Sequence, residues 1–255
     1  MPAMDITAEC IDSAGIASMR EQFRAEMNCQ IIHDSLHARP GWTQSYRLAT
    51  DGETAGYGAV AIGGPWQNRP TIFEFFLTPE HRRQTFDLFA ALLDATRAVG
   101  IETQTNDALL TIMLHAFARG IVSESILFED GVTTAMSLPG AVLRPTMAGD
   151  AEAMTAAALD PQASHMLEFD GAIAGAGGIL THYNPPYGDL YMKVAERFRE
   201  RGIGSFLVQE LKRTARGQGL VPAARCRTEN IASRRTLQKA GFVPCGHLLV
   251  GAIAR

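Results

Sequence analysis

The sequence predicts an α+β fold with α/β-type layers, built from two consecutive units of related design. Three observations predict it. The pattern D-G-x-x-A-G-x-G occurs twice, at Asp51–Gly58 and Asp170–Gly177, each time between apolar runs, as a hairpin turn would. Strand-like apolar runs alternate with runs of helical periodicity along both halves. At 255 residues and 46% apolar content, the chain is long enough for two small cores or one large one.

The elements follow in order. A helix is expected from about Ser13 to Cys29 and onward to His37, before the first D-G turn. Ile72–Leu77 reads as a strand, and Arg82 follows it. Phe86–Val99 reads as a helix ending near Gly100. In the second half, His165–Phe169 is strand-like, and the second D-G turn follows. Leu190–Val194 then matches Ile72–Leu77, with Arg199 in the place of Arg82. Ile203, Phe206, Leu207 and Leu211 follow the i, i+3, i+4, i+8 pattern of a helix that Gly217 and Gly219 break. Val221–Cys226 reads as a buried strand. Glu102–Asp107 (ETQTND) corresponds to Arg225–Asn230 (RCRTEN), and Gly120-Ile121 falls where Gly241-Phe242 stands. Pro139-Gly140 is a breaker pair, which places the division at 1–138 and 139–255.

The segment Arg199-Glu200-Arg201-Gly202-Ile203-Gly204 carries the chemistry. A strand, a glycine-containing turn and a helix start make an anion cradle, because free N–H groups converge there and the helix dipole adds positive potential. Glycines let a phosphate approach the main chain closely. No G-x-x-x-x-G-K-[ST] run is present, and Gly202-Ile203-Gly204 is followed by Ser205, Phe206 and Leu207, so the third glycine of the dinucleotide fingerprint is missing. The remaining R-x-x-G-x-G resembles the acetyl-CoA pyrophosphate loop of the GNAT acetyltransferase superfamily. Asn230-Ile231-Ala232-Ser233, then Lys239-Ala240-Gly241-Phe242, resembles the family's N-x-x-[AS]…K-x-G-F segment. Gly241 is placed to stop the intervening helix in the left-handed conformation.

The resemblance implies two tandem GNAT-like domains, each a mixed, mostly antiparallel sheet flanked by helices. It also makes Ala141–Pro145 the first strand of the second copy, followed by one helix from about Gly149 to Leu159. It implies acetyl-CoA as co-substrate, held by Met192, Lys193, Val194, Arg199, Glu200, Arg201, Gly202, Ile203, Gly204, Ser205, Asn230 and Ser233. The reaction it implies is acetyl transfer to a primary amine by direct attack in a ternary complex, with the acceptor cleft between the two domains. Asp189 is the candidate general base, with His182 and Glu229 as alternatives. The family's frequent general acid, a tyrosine seven residues after the Asn, is Leu237 here, and Tyr187 and Tyr191 do not match the motif. That departure keeps a non-catalytic acyl-CoA-binding protein as the alternative. In the first copy Thr85 and Asp87 replace the two glycines, and the first copy is expected to be degenerate.

Charge is unevenly spread. From position 141 onward there are 14 Lys+Arg against 10 Asp+Glu, and before it 9 against 17, with no lysine. The basic half is the half with the phosphate-loop signature, which suits a CoA ligand. Arg197, Arg199, Arg201, Lys212, Arg213 and Arg216 lie on or beside the loop and helix, and the last three are expected on a solvated helix face. An acidic chain, net −4, lacks the driving force for nucleic acid. No apolar run approaches the about 18 residues of a membrane helix. Asp5 and Glu9 without a basic residue among the first nine are unlike a targeting peptide, and a cytoplasmic location is expected. Cys10, Cys29, Cys226 and Cys245 have no ligand spacing and are expected as reduced thiols. His33 and His37 share helical spacing, but no third ligand accompanies them, so no metal is expected. Trp42 and Trp66 are expected in packing. The expected partners are a small-molecule or protein amine, with the chain a monomer or homodimer.

Overall fold

A computed structural model describes residues 5–27, 34–182 and 185–254. His33 and Cys29 lie outside the described residues. The chain forms two compact units, 1–125 with 246–255 and 126–245. This differs from the division at 138/139. β6 (Ala118–Asp130) and β12 (Phe242–Ile253) each pass from one unit into the other along their length. The reason is hydrogen bonding: Leu248–Ala252 of β12 pair with β5 (Gly100–Gln104), so the C-terminal strand completes the first unit.

In the first unit, β1 (Ile6–Ile11), β2 (Thr43–Thr50), β3 (Glu53–Ala61) and β4 (Thr71–Leu77) pair antiparallel in sequence order, and β5 adds parallel to β4. The helices are α1 (Ala17–Glu26), α2 (Asp34–His37), α3 (Thr85–Ala95) and α4 (Ala108–Phe117). In the second unit, β7 (Ala141–Pro145), β8 (His165–Phe169), β9 (Ala172–Leu180) and β10 (Tyr187–Val194) pair antiparallel, and β11 (Val221–Arg227) adds parallel to β10. Its helices are α5 (Ala151–Ala156), α6 (Ile203–Gly217) and α7 (Ile231–Lys239). The two pairing schemes are the same.

The repeat extends to fine detail. Asp51-Gly52 and Asp170-Gly171 both take positive φ, as the tight hairpin turn requires. Each turn follows a register shift three residues earlier, at Leu48/Ala49 and at Leu167/Glu168. Asp107 and Asn230 cap α4 and α7 in the same way, accepting from the N–H of Leu110 and of Ser233, both at 3.0 Å. β11 ends at Arg227, and Asn230 opens the next helix. Between β7 and β8 the described residues hold one short α-helix, α5, about half the length the sequence suggested.

α6 packs through Ile203, Leu207, Leu211 and Ala215, all buried, on the face of β10 that carries Leu190, Met192 and Val194. Lys212 departs from expectation. It is buried, donates to Val132 O at 2.9 Å and Ala240 O at 2.8 Å, and pairs with Asp130 at 2.8 Å. A lysine stem reaches across apolar surface, and its ammonium here satisfies two main-chain carbonyls. Arg216 also pairs with Asp130, and Arg213 with Glu210, so only the arginines occupy the solvated face. Gly241 stops α7 at φ +86, and a Cβ there would stand 2.0 Å from Val132 O.

Candidate active site

β10 and β11 pair only from Tyr187/Val221 to Leu190/Ala224. Beyond that rung the strands carry on to Val194 and Arg227 without pairing, so the sheet opens there. The opening leads into a cleft of about 240 Å³ lined by Leu180, Asp189, Leu190, Tyr191, Met192, Val208, Arg225, Ser233 and Leu237. Side chains alternate along a strand. Asp189 and Tyr191 therefore share the face of β10 opposite α6.

Asp189 is buried at the apex of this opening. Burial pushes its carboxyl up to about 6, against the opposing pull of the Arg225 guanidinium. The Arg225 Nε stands 3.5 Å from Asp189 Oδ2, longer than a well-formed charge-assisted bond. Asp189 Oδ1 is buried without a hydrogen-bond partner. A buried carboxylate left incompletely paired is costly, and such groups concentrate where ligands react.

At the far end of the opening lies the glycine loop. Glu200 (φ +64) and Gly202 (φ +81) are left-handed, and Gly202 is the N-cap of α6. The N–H groups at the first positions of a helix have no acceptor within it, so those of Ile203, Gly204 and Ser205 are open to an anion. Phe206 N already bonds Gly202 O at 3.0 Å. The two glycines are needed for different reasons. A Cβ at Gly202 would meet nothing within 4 Å, so its conformation is what demands glycine. A Cβ at Gly204 would stand 3.2 Å from Thr236, and 3.4 Å from each of Met192 and Val194.

Of the residues read from the sequence, Asp189, Met192 and Ser233 meet in the cleft, and Leu237 lies there too. The loop residues 199–205 sit at the start of α6, while Lys193 points out exposed. The Asn230 side chain is engaged in capping, with Ser233 N as its donor. Arg225 is a cleft residue that the sequence reading passed over. Its only signal was its place two residues after the strand pair of Asp189.

The first copy has no such loop. A 3-10 helix, Pro79–Gln84, runs directly into α3. Arg82 donates to Leu77 O at 3.2 Å and pairs with Glu26 at 2.7 Å, and the Thr85 hydroxyl donates to Arg82 O. This unit buries two carboxyl groups, Asp107 at the cap of α4 and Glu74 on β4, the strand that corresponds to β10. A register shift between Ala59/Glu74 and Val60/Ile72 leaves Phe73 as a bulge beside it. Tyr57 OH donates to Glu74 at 3.0 Å and His37 Nε2 lies at 3.0 Å. Burial alone would raise the Glu74 carboxyl, but His37, Arg20 and Tyr57 together hold it below the usual range. Trp42 packs against Gly63 and Gly64, with Arg39 over its ring.

Residues 141–242 match the model of the Acetyltransferase (GNAT) family. An acetyltransferase of the GNAT family from Colwellia psychrerythraea is similar over 97% of this chain and 100% of its own, at TM-score 0.77 and 15% identity. A tandem GNAT protein from the clavulanic acid biosynthesis pathway is similar over 99% of each chain, at TM-score 0.61 and 14% identity. A GCN5-related N-acetyltransferase from Sphaerobacter thermophilus covers 98% of this chain and 96% of its own, at TM-score 0.56 and 14% identity. No curated protein matches the sequence. At these identities the likeness to solved structures is one of fold. The fold is that of two GNAT units in tandem. By sequence, residues 141–242 match the acetyltransferase family, and over the remainder of the chain the likeness is to the tandem GNAT fold alone.

Proposed function

We propose that this protein is an acetyl-CoA-dependent N-acetyltransferase whose one working site is the cleft between β10 and β11. The observation that carries the reading is the orphaned, buried Asp189 carboxylate at the apex of that opening. The residues present fit the co-substrate. The open N–H groups of Ile203–Ser205, flanked by Arg199 and Arg201, suit its phosphates, and the unpaired edge of Met192–Val194 suits its amide-bearing arm as an added strand. Acetyl-CoA supplies an activated thioester.

The chain's residues position the acceptor amine and manage its protons. Asp189 takes the ammonium proton. The freed nitrogen forms the C–N bond as the C–S bond breaks, and the products are the acetamide, CoA thiol and one released proton. With Leu237 in the cleft, the thiol's proton comes from another group or from water.

The test follows free-thiol release from acetyl-CoA over a panel of amines, alongside thermal shift with CoA. CoA is expected to raise the melting temperature, and at least one amine to release thiol. Replacing Gly202 and Gly204 together by valine should abolish the CoA-dependent rise. Changing Thr85 and Asp87 to glycine should neither add nor remove one. A CoA-dependent rise without turnover on any amine would favour a binding protein, and no response to CoA would sink the assignment.

A further inference from the structure

The acceptor is named by the charge content of the cleft. Among the described residues two ionisable side chains of the acidic and basic types line it, Asp189 and Arg225, one of each sign. They lie on adjacent strands, Asp189 on the last-but-one paired rung of β10 and Arg225 one residue past the last paired rung of β11. Both flank the point where the sheet opens. They face each other at 3.5 Å without closing into a short pair, and Asp189 Oδ1 has no partner. Arg225 keeps 29% of its side chain accessible while Asp189 keeps 6%.

A plain alkylammonium brought to Asp189 would also be brought against the Arg225 guanidinium, and like charges at close range oppose binding. A simple anion brought to Arg225 would meet the Asp189 carboxylate in the same way. A ligand carrying an ammonium and a carboxylate a few ångströms apart complements both groups at once. On the face that carries Asp189, Leu180 stands directly across the β9–β10 ladder, whereas Leu190, Met192 and Val208 lie on the α6 side, beside the strand edge that suits the co-substrate's arm.

Resting on the acetyltransferase reading above, we infer that the acceptor is a zwitterionic amino acid, its ammonium at Asp189 and its carboxylate at Arg225. Arg225 is then the specificity residue of this site. Its bidentate geometry suits a carboxylate, and discrimination arises because an amine lacking the carboxylate leaves the guanidinium facing the ammonium.

The experiment compares leucine with 3-methylbutylamine, which has the same side chain without the carboxylate. The full-length protein is assayed for kcat/KM with acetyl-CoA, and for binding in the presence of CoA by calorimetry. The wild type is expected to prefer leucine at least 100-fold by either readout. Arg225→Met should collapse that ratio to about one or below, and Arg225→Lys should restore part of it. Other amino acids paired with their decarboxylated amines extend the comparison. The inference is overturned if the plain amines are used or bound as well as the amino acids, if no amino acid of the panel binds, or if Arg225→Met leaves the ratio unchanged. Preferential binding of the amino acid without thiol release would uphold this inference and sink the transferase reading instead.

Discussion

Asp189→Asn should make the protein more stable at neutral pH and much less active. Burial raises the Asp189 carboxyl from 3.8 to about 6, with the opposing effect of Arg225 already included. A gap of roughly two pK units corresponds to about 3 kcal/mol, at about 1.4 kcal/mol per unit. Between about pH 4 and pH 6 the native chain holds a proton that the unfolded chain has released. Stability therefore falls as pH rises through that window and stays low above it. Asparagine is close in shape and cannot ionise, so it removes the penalty.

Wild type and variant should be equally stable at pH 4, and the variant more stable by up to about 3 kcal/mol at pH 8. Urea unfolding at the two pH values measures this. Asp107, whose own burial raises its carboxyl to about 7, titrates in both proteins and cancels in the difference. If the two units unfold separately, only the transition that carries residue 189 should move. Turnover should fall by about 100-fold or more, the usual loss on removing a general base. An asparagine variant that is equal to or less stable than wild type at pH 8 would refute the claim that Asp189 is held there at a cost.

Three further outcomes follow from the packing. Lys212→Met removes a donor from the carbonyls of Val132 and Ala240, the latter keeping only the long bond from Thr134, and half of the Asp130 pairing, and should cost about 3 kcal/mol by urea unfolding. Gly241→Ala should cost about 2–4 kcal/mol, because its Cβ would meet Val132 O; Gly171→Ala, equally left-handed but with nothing within 4 Å, should cost only about 1–2 kcal/mol. Glu74→Gln should lose about 1–3 kcal/mol at pH 7, because a neutral amide replaces the buried carboxylate that accepts from Tyr57 and lies beside His37 and Arg20. Because the Glu74 carboxyl is lowered in the fold, that difference should fade as pH falls below the usual carboxylate range.

What the sequence made legible was local. The D-G turns, the apolar stripe of α6 and the strand β8 are written in short-range patterns, and they form where those patterns stand, while β7 was legible only through the family resemblance. Gly241 was legible because a left-handed helix stop leaves few other choices, whereas Gly202 was legible as a place for close phosphate approach and its positive φ was not foreseen. What escaped was set by distant partners. Lys212 is 80 residues from Val132, and nothing in its helical neighbourhood distinguishes it from Arg213. The exchange of β12 into the first unit depends on pairing between Leu248 and Gln104. Arg225 stood in a segment noted only for its likeness to Glu102–Asp107. Its importance comes from the strand register that sets it beside Asp189.

The two copies solve one problem in opposite ways. Each carries a buried carboxylate on its fourth strand, Glu74 on β4 and Asp189 on β10. The first copy surrounds its carboxylate with His37, Tyr57 and Arg20, which lower its carboxyl, and has in place of the loop a 3-10 helix in which Arg82 and Thr85 bond nearby backbone. The second copy leaves an oxygen of its carboxylate unpaired, keeps its one cationic neighbour 3.5 Å away, and leaves the N-terminal amides of α6 without helical acceptors. A satisfied buried charge contributes stability and offers nothing to a ligand, whereas an unsatisfied one costs stability and is completed by what binds. The shifts of these two fourth-strand carboxyls, one lowered and one raised, therefore distinguish the two copies. They do so independently of the two lost glycines.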